Sequence, residues 1–189
     1  MGQLERILKE FKNHKATLQD LGEIKILDFK KTKSETWHIR YLFDESQYTL
    51  HISGTAGSLV AKNYSNMTLD KFHEFTSSDV YYFIEKVVCH SKPFEYYDID
   101  KMIERIEEIA NDNACVKARI KERYETMHSL QAYIAEYVDE KGLDEYWRDE
   151  LEEVYINPDE IEEVSLVKTA YPEIYLRAFE MAVKQLKKG

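Results

Sequence analysis

The side chains with the most chemical potential in this chain are its histidines, its two cysteines and its carboxylates. Histidine stands at positions 14, 38, 51, 73, 90 and 128. A zinc site needs three or four ligands converging at roughly 2 Å, usually with paired spacing such as His-Glu-x-x-His, and no such pair occurs here. His38 and His51 can face one another across adjacent strands, and with Asp98 they are the candidates for a small hydrolase or nucleotide-acting site. Asp98-Ile99-Asp100 has the spacing of a carboxylate pair that holds a divalent ion, but the same spacing marks a helix start, where Asp accepts from orphan amides. The capping reading is preferred. Cys89 adjoins His90, yet neighbours on a helix point in different directions, so they make no nucleophile and base. Gly54-Thr55-Ala56-Gly57-Ser58 has two residues between its glycines where a phosphate loop has four, and no Lys-Ser/Thr follows. It reads as a tight turn. No catalytic residue, metal ligand or cofactor is assigned.

Negative charge is what the sequence concentrates. The chain carries 36 acids against 26 Lys and Arg, a net charge of −10, and 13 of the acids lie between Glu136 and Glu163, opposed there only by Lys141 and Arg148. A dense anionic stretch repels nucleic-acid phosphate and attracts basic surfaces over about 8–10 Å at physiological salt. Tyr146, Trp147 and Tyr155 lie within it, and an aromatic anchor ringed by acids suits a hot spot for a basic partner; the other reading is that Trp147 packs its helix onto its neighbours. The candidate partner-binding residues are Asp144, Glu145, Tyr146, Trp147, Asp149, Glu152, Glu153 and Tyr155. Direct nucleic-acid binding is not expected, because it requires clustered Lys and Arg. The other reading of the acids is a solvated face that keeps the chain dispersed.

The elements that must position these residues follow from periodicity. Leu4, Ile7, Leu8 and Phe11 are spaced i, i+3, i+4, i+7, which predicts an amphipathic helix ending near Leu21-Gly22. The period then changes to two: an apolar run Ile24 to Phe29, then Trp37, Ile39, Tyr41 and Phe43 on one face, Tyr48, Leu50 and Ile52 on another strand, and Leu59 to Tyr64. Turns are expected at Lys31 to Ser34, Asp44 to Ser46 and Gly54 to Gly57. Short loops between consecutive strands predict an antiparallel meander. From Thr68 onward the period is helical. Thr68, Ser77 or Ser78, and Asp98 or Asp100 are the expected caps, and Ser91-Lys92-Pro93 is an expected break. Ala114 to Val138 reads as one long helix. Gly142, Asn157-Pro158 and Tyr171-Pro172 divide the remainder into three shorter helices, with both prolines in first turns.

The expected fold is therefore α+β: an N-terminal helix, a small antiparallel sheet of three or four strands, then a mainly α-helical C-terminal half. Asn111-Asp112-Asn113 suggests a boundary, giving an α+β domain over 1–112 and an acidic helical region over 113–189, with no internal repeat or flexible linker. No apolar stretch approaches the roughly 18 residues that cross a bilayer, the N-terminal residues are not those of a secretory signal, and two cysteines are too few for a disulfide scaffold. The expected setting is the cytoplasm.

The run Ile52-Ser53-Gly54-Thr55-Ala56-Gly57-Ser58-Leu59-Val60, with Tyr82-Phe83-Ile84-Glu85-Lys86 and Tyr96-Tyr97-Asp98, resembles small accessory proteins of phages and prophages of Gram-positive bacteria over residues 36–110. That resemblance implies a setting in which inhibitors of host enzymes or of antiviral defences are common, and it brings no catalytic residues. The expected function is a non-enzymatic protein-binding inhibitor, an anti-defence or host-takeover factor, acting through its acidic helical surface on a host or defence protein with a basic, nucleic-acid-binding surface. No membrane partner is expected. A self-assembling homo-oligomer and a small enzyme are the alternatives.

Overall fold

The computed structural model describes residues 3–31, 37–77, 79–139 and 141–187. In chain order it contains α1 (Gln3–Glu10), β1 (Lys15–Asp20), β2 (Ile24–Lys30), β3 (Ile39–Asp44), β4 (Thr49–Gly54), β5 (Gly57–Lys62), α2 (His73–Ser77), α3 (Val80–Ile84), β6 (Val87–His90) and β7 (Glu95–Tyr97). It continues with α4 (Ile99–Asp112), α5 (Ala114–Tyr124), α6 (Met127–Tyr137), α7 (Glu145–Glu153), α8 (Pro158–Ser165), β8 (Leu166–Lys168) and α9 (Tyr171–Leu186). The chain divides into two compact units, Met1–Phe94 with Ala170–Gly189, and Glu95–Thr169.

The first unit is an antiparallel meander of six strands in the order β1 to β6, with helices on one face. Strict alternation in β3 and β4 puts Ile39, Tyr41, Phe43, Leu50 and Ile52 into a core shared with Ile174, Ala178, Phe179 and Ala182 of α9. Phe179 meets the ring of Phe72 edge-on at 4.7 Å, a favoured aromatic geometry. Two hydroxyls inside this core are satisfied by carbonyls: Tyr41 donates to Tyr175 O at 2.6 Å and Tyr175 donates to Ala56 O at 2.9 Å. Burial raises both phenols above their ordinary pKa, Tyr175 to about 12.

The sheet has six strands where the sequence predicts three or four, and both of its edge strands lie outside the predicted set. Lys15–Asp20 is β1 and not the continuation of a helix to Leu21-Gly22. The apolar stripe of α1 ends at Phe11 in a single 3-10 turn, and His14 turns the backbone extended. Ala16 and Leu18 then pair with Phe29 and Leu27, an alternation too short and too exposed to read in advance. Gln185 of α9 ties down this edge, accepting from Ala16 N at 3.1 Å and donating to His14 O at 2.9 Å. At the other edge Val87–His90 pairs with β5 across a register shift between Val60 and Ala61.

The Gly54 to Gly57 turn stands as predicted. A Cβ on Gly54 would lie 1.9 Å from His38 O, so only glycine fits that close approach. The Asp44 to Ser46 turn extends through Tyr48, with Asp44 Oδ1 accepting from Ser46 Oγ at 2.6 Å. Of the Lys31 to Ser34 turn only Lys31 lies within the described residues. Thr68 accepts from Lys71 N ahead of α2, while Asp79 caps α3 in place of Ser77; Ser78 lies outside the described residues.

The second unit is helical, with β7 and β8 as a two-stranded antiparallel ribbon. Its core gathers Met102, Ile106, Val116, Ile120, Leu130, Ile134, Trp147, Leu151 and Ile161. A boundary at 112 would cut this core. Asn113 ends α4 and at once caps α5 through Cys115 N and Val116 N, so the helical interruption is a corner between packed helices. The expected helix over Ala114 to Val138 is two helices. Glu125 takes a left-handed φ of 65° and Thr126 caps α6 through Ser129 N. Pro158 and Pro172 occupy first turns as predicted.

Candidate functional site

Charge divides with the units. Residues 95–169 hold 22 acids and nine Lys and Arg, a net −13, whereas the remaining 114 residues hold 14 acids and 17 bases, a net +3. The acidic character is thus a property of the helical unit, and α7 is its centre.

Asp144 spends its carboxylate on the helix itself, capping α7 through Trp147 N at 2.9 Å. Trp147 is only 2 % exposed and lies in the core with Leu151 and Val154, which removes it as a surface anchor. The helical spacing that buries Trp147, Leu151 and Val154 turns Glu145, Asp149 and Glu152 outward as an i, i+4, i+7 stripe. These three have no ion-pair partner among the described residues.

Much of the surrounding acid is neutralised within the unit. Arg148 bonds Glu162 at 2.6 Å and also Asp159, and Arg105 bonds Glu160 and Glu108. Glu150 is buried at the flank of α7, where Arg123 donates to both its oxygens at 2.8 and 2.5 Å and the Tyr124 hydroxyl donates to Oε2. The Arg123 guanidinium holds this carboxyl below its usual pKa despite burial, and burial together with Glu150 raises Tyr124. Glu153 stands 4.0 Å from Arg123.

Among the described residues of this unit, the exposed rings near α7 form two groups. Tyr155 follows α7 at the position where a left-handed residue closes the helix: Tyr155 N donates to Glu152 O and Ile156 N to Leu151 O, both at 2.9 Å. Its φ is 63°, and its ring projects outward, 64 % exposed, beneath the Arg119 guanidinium at 5.5 Å. Tyr146 belongs instead with Tyr133 and Tyr137 of α6. Tyr133 packs 4.7 Å from Tyr137 and 5.5 Å from Trp147, and Tyr146 meets Trp147 at 5.8 Å. Composition does not distinguish Tyr133 and Tyr137 from the other tyrosines; their i, i+4 spacing beside the apolar Leu130 and Ile134 is the available signal.

Within the first unit, the two histidines considered for enzymatic work are not cross-strand partners. His51 pairs with Leu42 rather than with His38, which sits beside Asp28 at 3.3 Å together with Arg40. Asp98 caps α4 in the other unit, accepting from Lys101 N. A concavity of about 530 Å³ on the open face of the sheet includes His51, Cys89 and His90, but no hydrogen bond joins these three among the described residues, and His90 is engaged with Lys92 O and stacked on Phe94. No group of three or more His, Cys, Asp or Glu able to hold a metal ion occurs among the described residues. None of the described helices is long and apolar enough to cross a membrane. Comparison with protein families, with curated proteins and with solved structures finds no match to this chain.

Proposed function

We propose that the protein is a non-enzymatic binding protein whose helical unit docks on a basic surface of another protein. The observation that carries this reading is the α7 stripe. Glu145, Asp149 and Glu152 face solvent without a cationic partner among the described residues, in a unit of net charge −13. Carboxylates so placed steer a cationic macromolecule and speed its association. Contact area comes from the exposed rings of Tyr137, Tyr146 and Tyr155, since tyrosine offers a large surface with few rotatable bonds. Trp147 supports this surface from below by fixing α7 and the Tyr133 and Tyr146 rings. In the phage setting suggested by the sequence resemblance, the partner is a host or defence protein whose basic surface normally holds nucleic acid, and docking inhibits it by occlusion.

Charge reversal tests this directly. In the triple variant Glu145→Lys, Asp149→Lys, Glu152→Lys, association with a partner recovered by affinity purification is expected to slow by about tenfold or more at low salt, with unaltered circular dichroism. A variant that binds the same partner at the same rate, with the same salt dependence, overturns the proposal.

A further inference from the structure

The first unit carries a cleft whose chemistry is the reverse of the α7 surface. It measures about 420 Å³ and is lined by Gln47, Tyr48, Lys62, Asn63, Tyr64 and Lys86, a size within the roughly 300–1,000 Å³ of small-molecule sites. In a chain of net charge −10, this lining contains two lysines, two tyrosines and no carboxylate.

Its frame is held by the backbone. Lys62 N donates to Lys86 O at 2.9 Å and Asn63 N to Tyr48 O at 3.2 Å, which ties the end of β5 to the segment before β6 and to the turn before β4. Tyr48 occupies a left-handed φ of 49°. The Asn63 side chain accepts from Tyr64 N at 2.9 Å and donates to Asn66 Oδ1 at 2.5 Å, fixing the backbone that carries Tyr64. On that fixed backbone the Tyr64 ring is 94 % exposed. Lys62 faces out with no ion-pair partner among the described residues. Lys86 is positioned by the Tyr82 ring, 4.7 Å from its ammonium, and by Glu85 at 3.4 Å; Tyr82 is in turn stacked on Phe75 at 5.2 Å.

We infer that this cleft binds a phosphorylated nucleobase compound, its base stacked on Tyr64 and its phosphate held by Lys62 and Lys86. Exposed aromatic faces beside lysines are the pairing that single-stranded nucleic acids and nucleotides use, because every base offers a π face and every phosphate a charge. An acidic peptide would engage the lysines but leave both rings idle. The expectation against nucleic acid rested on the charge of the other unit and does not apply to this one. Two sources supply the same chemistry: a free nucleotide, or one within a single strand.

The test uses the full chain with AMP and a short fluorescent oligothymidylate as probes. Binding of either probe is expected, with Tyr64→Ala and Lys62→Ala each weakening it about tenfold or more and Tyr64→Phe retaining it. For the oligothymidylate, one neutralised phosphate gives a log–log salt slope of about −0.7. AMP binding as tightly as the oligothymidylate assigns a free nucleotide; oligothymidylate binding alone assigns a strand. Failure of both probes to bind, unchanged binding by both alanine variants, or tighter binding of oligoglutamate overturns the inference. Tyr64 makes no core contact, so its variants fold, and the α7 surface is untouched by this result.

Discussion

At the scale of single residues, the most consequential group in the helical unit is Glu150. It is a buried carboxylate whose two oxygens take three charged or hydroxyl donors from Arg123 and Tyr124. Hydrogen bonds to a charged group contribute about 1.5–3 kcal/mol, and Glu150→Ala is expected to lose about that much, measured by urea unfolding. The pH dependence follows from the lowered pKa. The stabilisation is fully present above the ordinary value of 4.5 and is lost as pH falls through the lower folded value. Acid titration of the wild type should therefore show a decline below about pH 4.5 that the alanine variant shows more weakly. Sequence reading placed Glu150 among thirteen similar acids and could not single it out. Its partners Arg123 and Tyr124 stand 27 and 26 residues away, a distance that only packing of α5 against α7 closes.

At the scale of elements, the end of α7 shows structure and surface in competition. The left-handed closing position of a helix favours glycine, since an L side chain there costs about 1–2 kcal/mol, yet this chain places Tyr155 in it. Replacing it with glycine relieves the backbone and forfeits an exposed cation–π contact with Arg119 of about 0.5 kcal/mol. Tyr155→Gly is therefore expected to raise stability by about 0.5–1.5 kcal/mol in thermal unfolding while weakening partner binding. A variant that loses stability, or one that binds as well as the wild type, contradicts this account. The elements the sequence reveals best are those with sustained alternation, β3 and β4. Those it conceals are edge or ribbon strands, β1, β6, β7 and β8, three to six residues long. In these, pairing with a neighbour decides the conformation and no hydrophobic pattern announces it.

At the scale of the whole molecule, the −13 of residues 95–169 is a load on their own folding, because like charges in a compact unit repel. Raising salt from about 0.01 M to about 0.15 M shortens the screening length from about 30 to about 8 Å. The unfolding midpoint of this unit should rise accordingly, and that of the sheet unit should change less. Each unit contains one of the two tryptophans, Trp37 and Trp147, so Trp147 fluorescence in a Trp37→Phe variant reports the acidic unit alone. A midpoint that falls with salt would mean that the Arg105, Arg123 and Arg148 ion pairs outweigh the repulsion.

The sequence by itself determined the local facts: the α+β class, the alternating core strands, the glycine turn, the first-turn prolines, an aspartate cap at Asp98 or Asp100 and the concentration of acid. Each of these is set by neighbours within a few residues, through backbone sterics, periodicity or composition. Tertiary structure alone decided that Trp147 is core rather than anchor, that α9 returns to complete the sheet unit, and that Arg105, Arg123 and Arg148 neutralise some carboxylates while Glu145, Asp149 and Glu152 remain outward. It also brought Tyr48, Lys62, Tyr64 and Lys86 around one cleft. Burial and charge pairing depend on contacts between residues far apart in the chain, and periodicity carries no record of which faces meet.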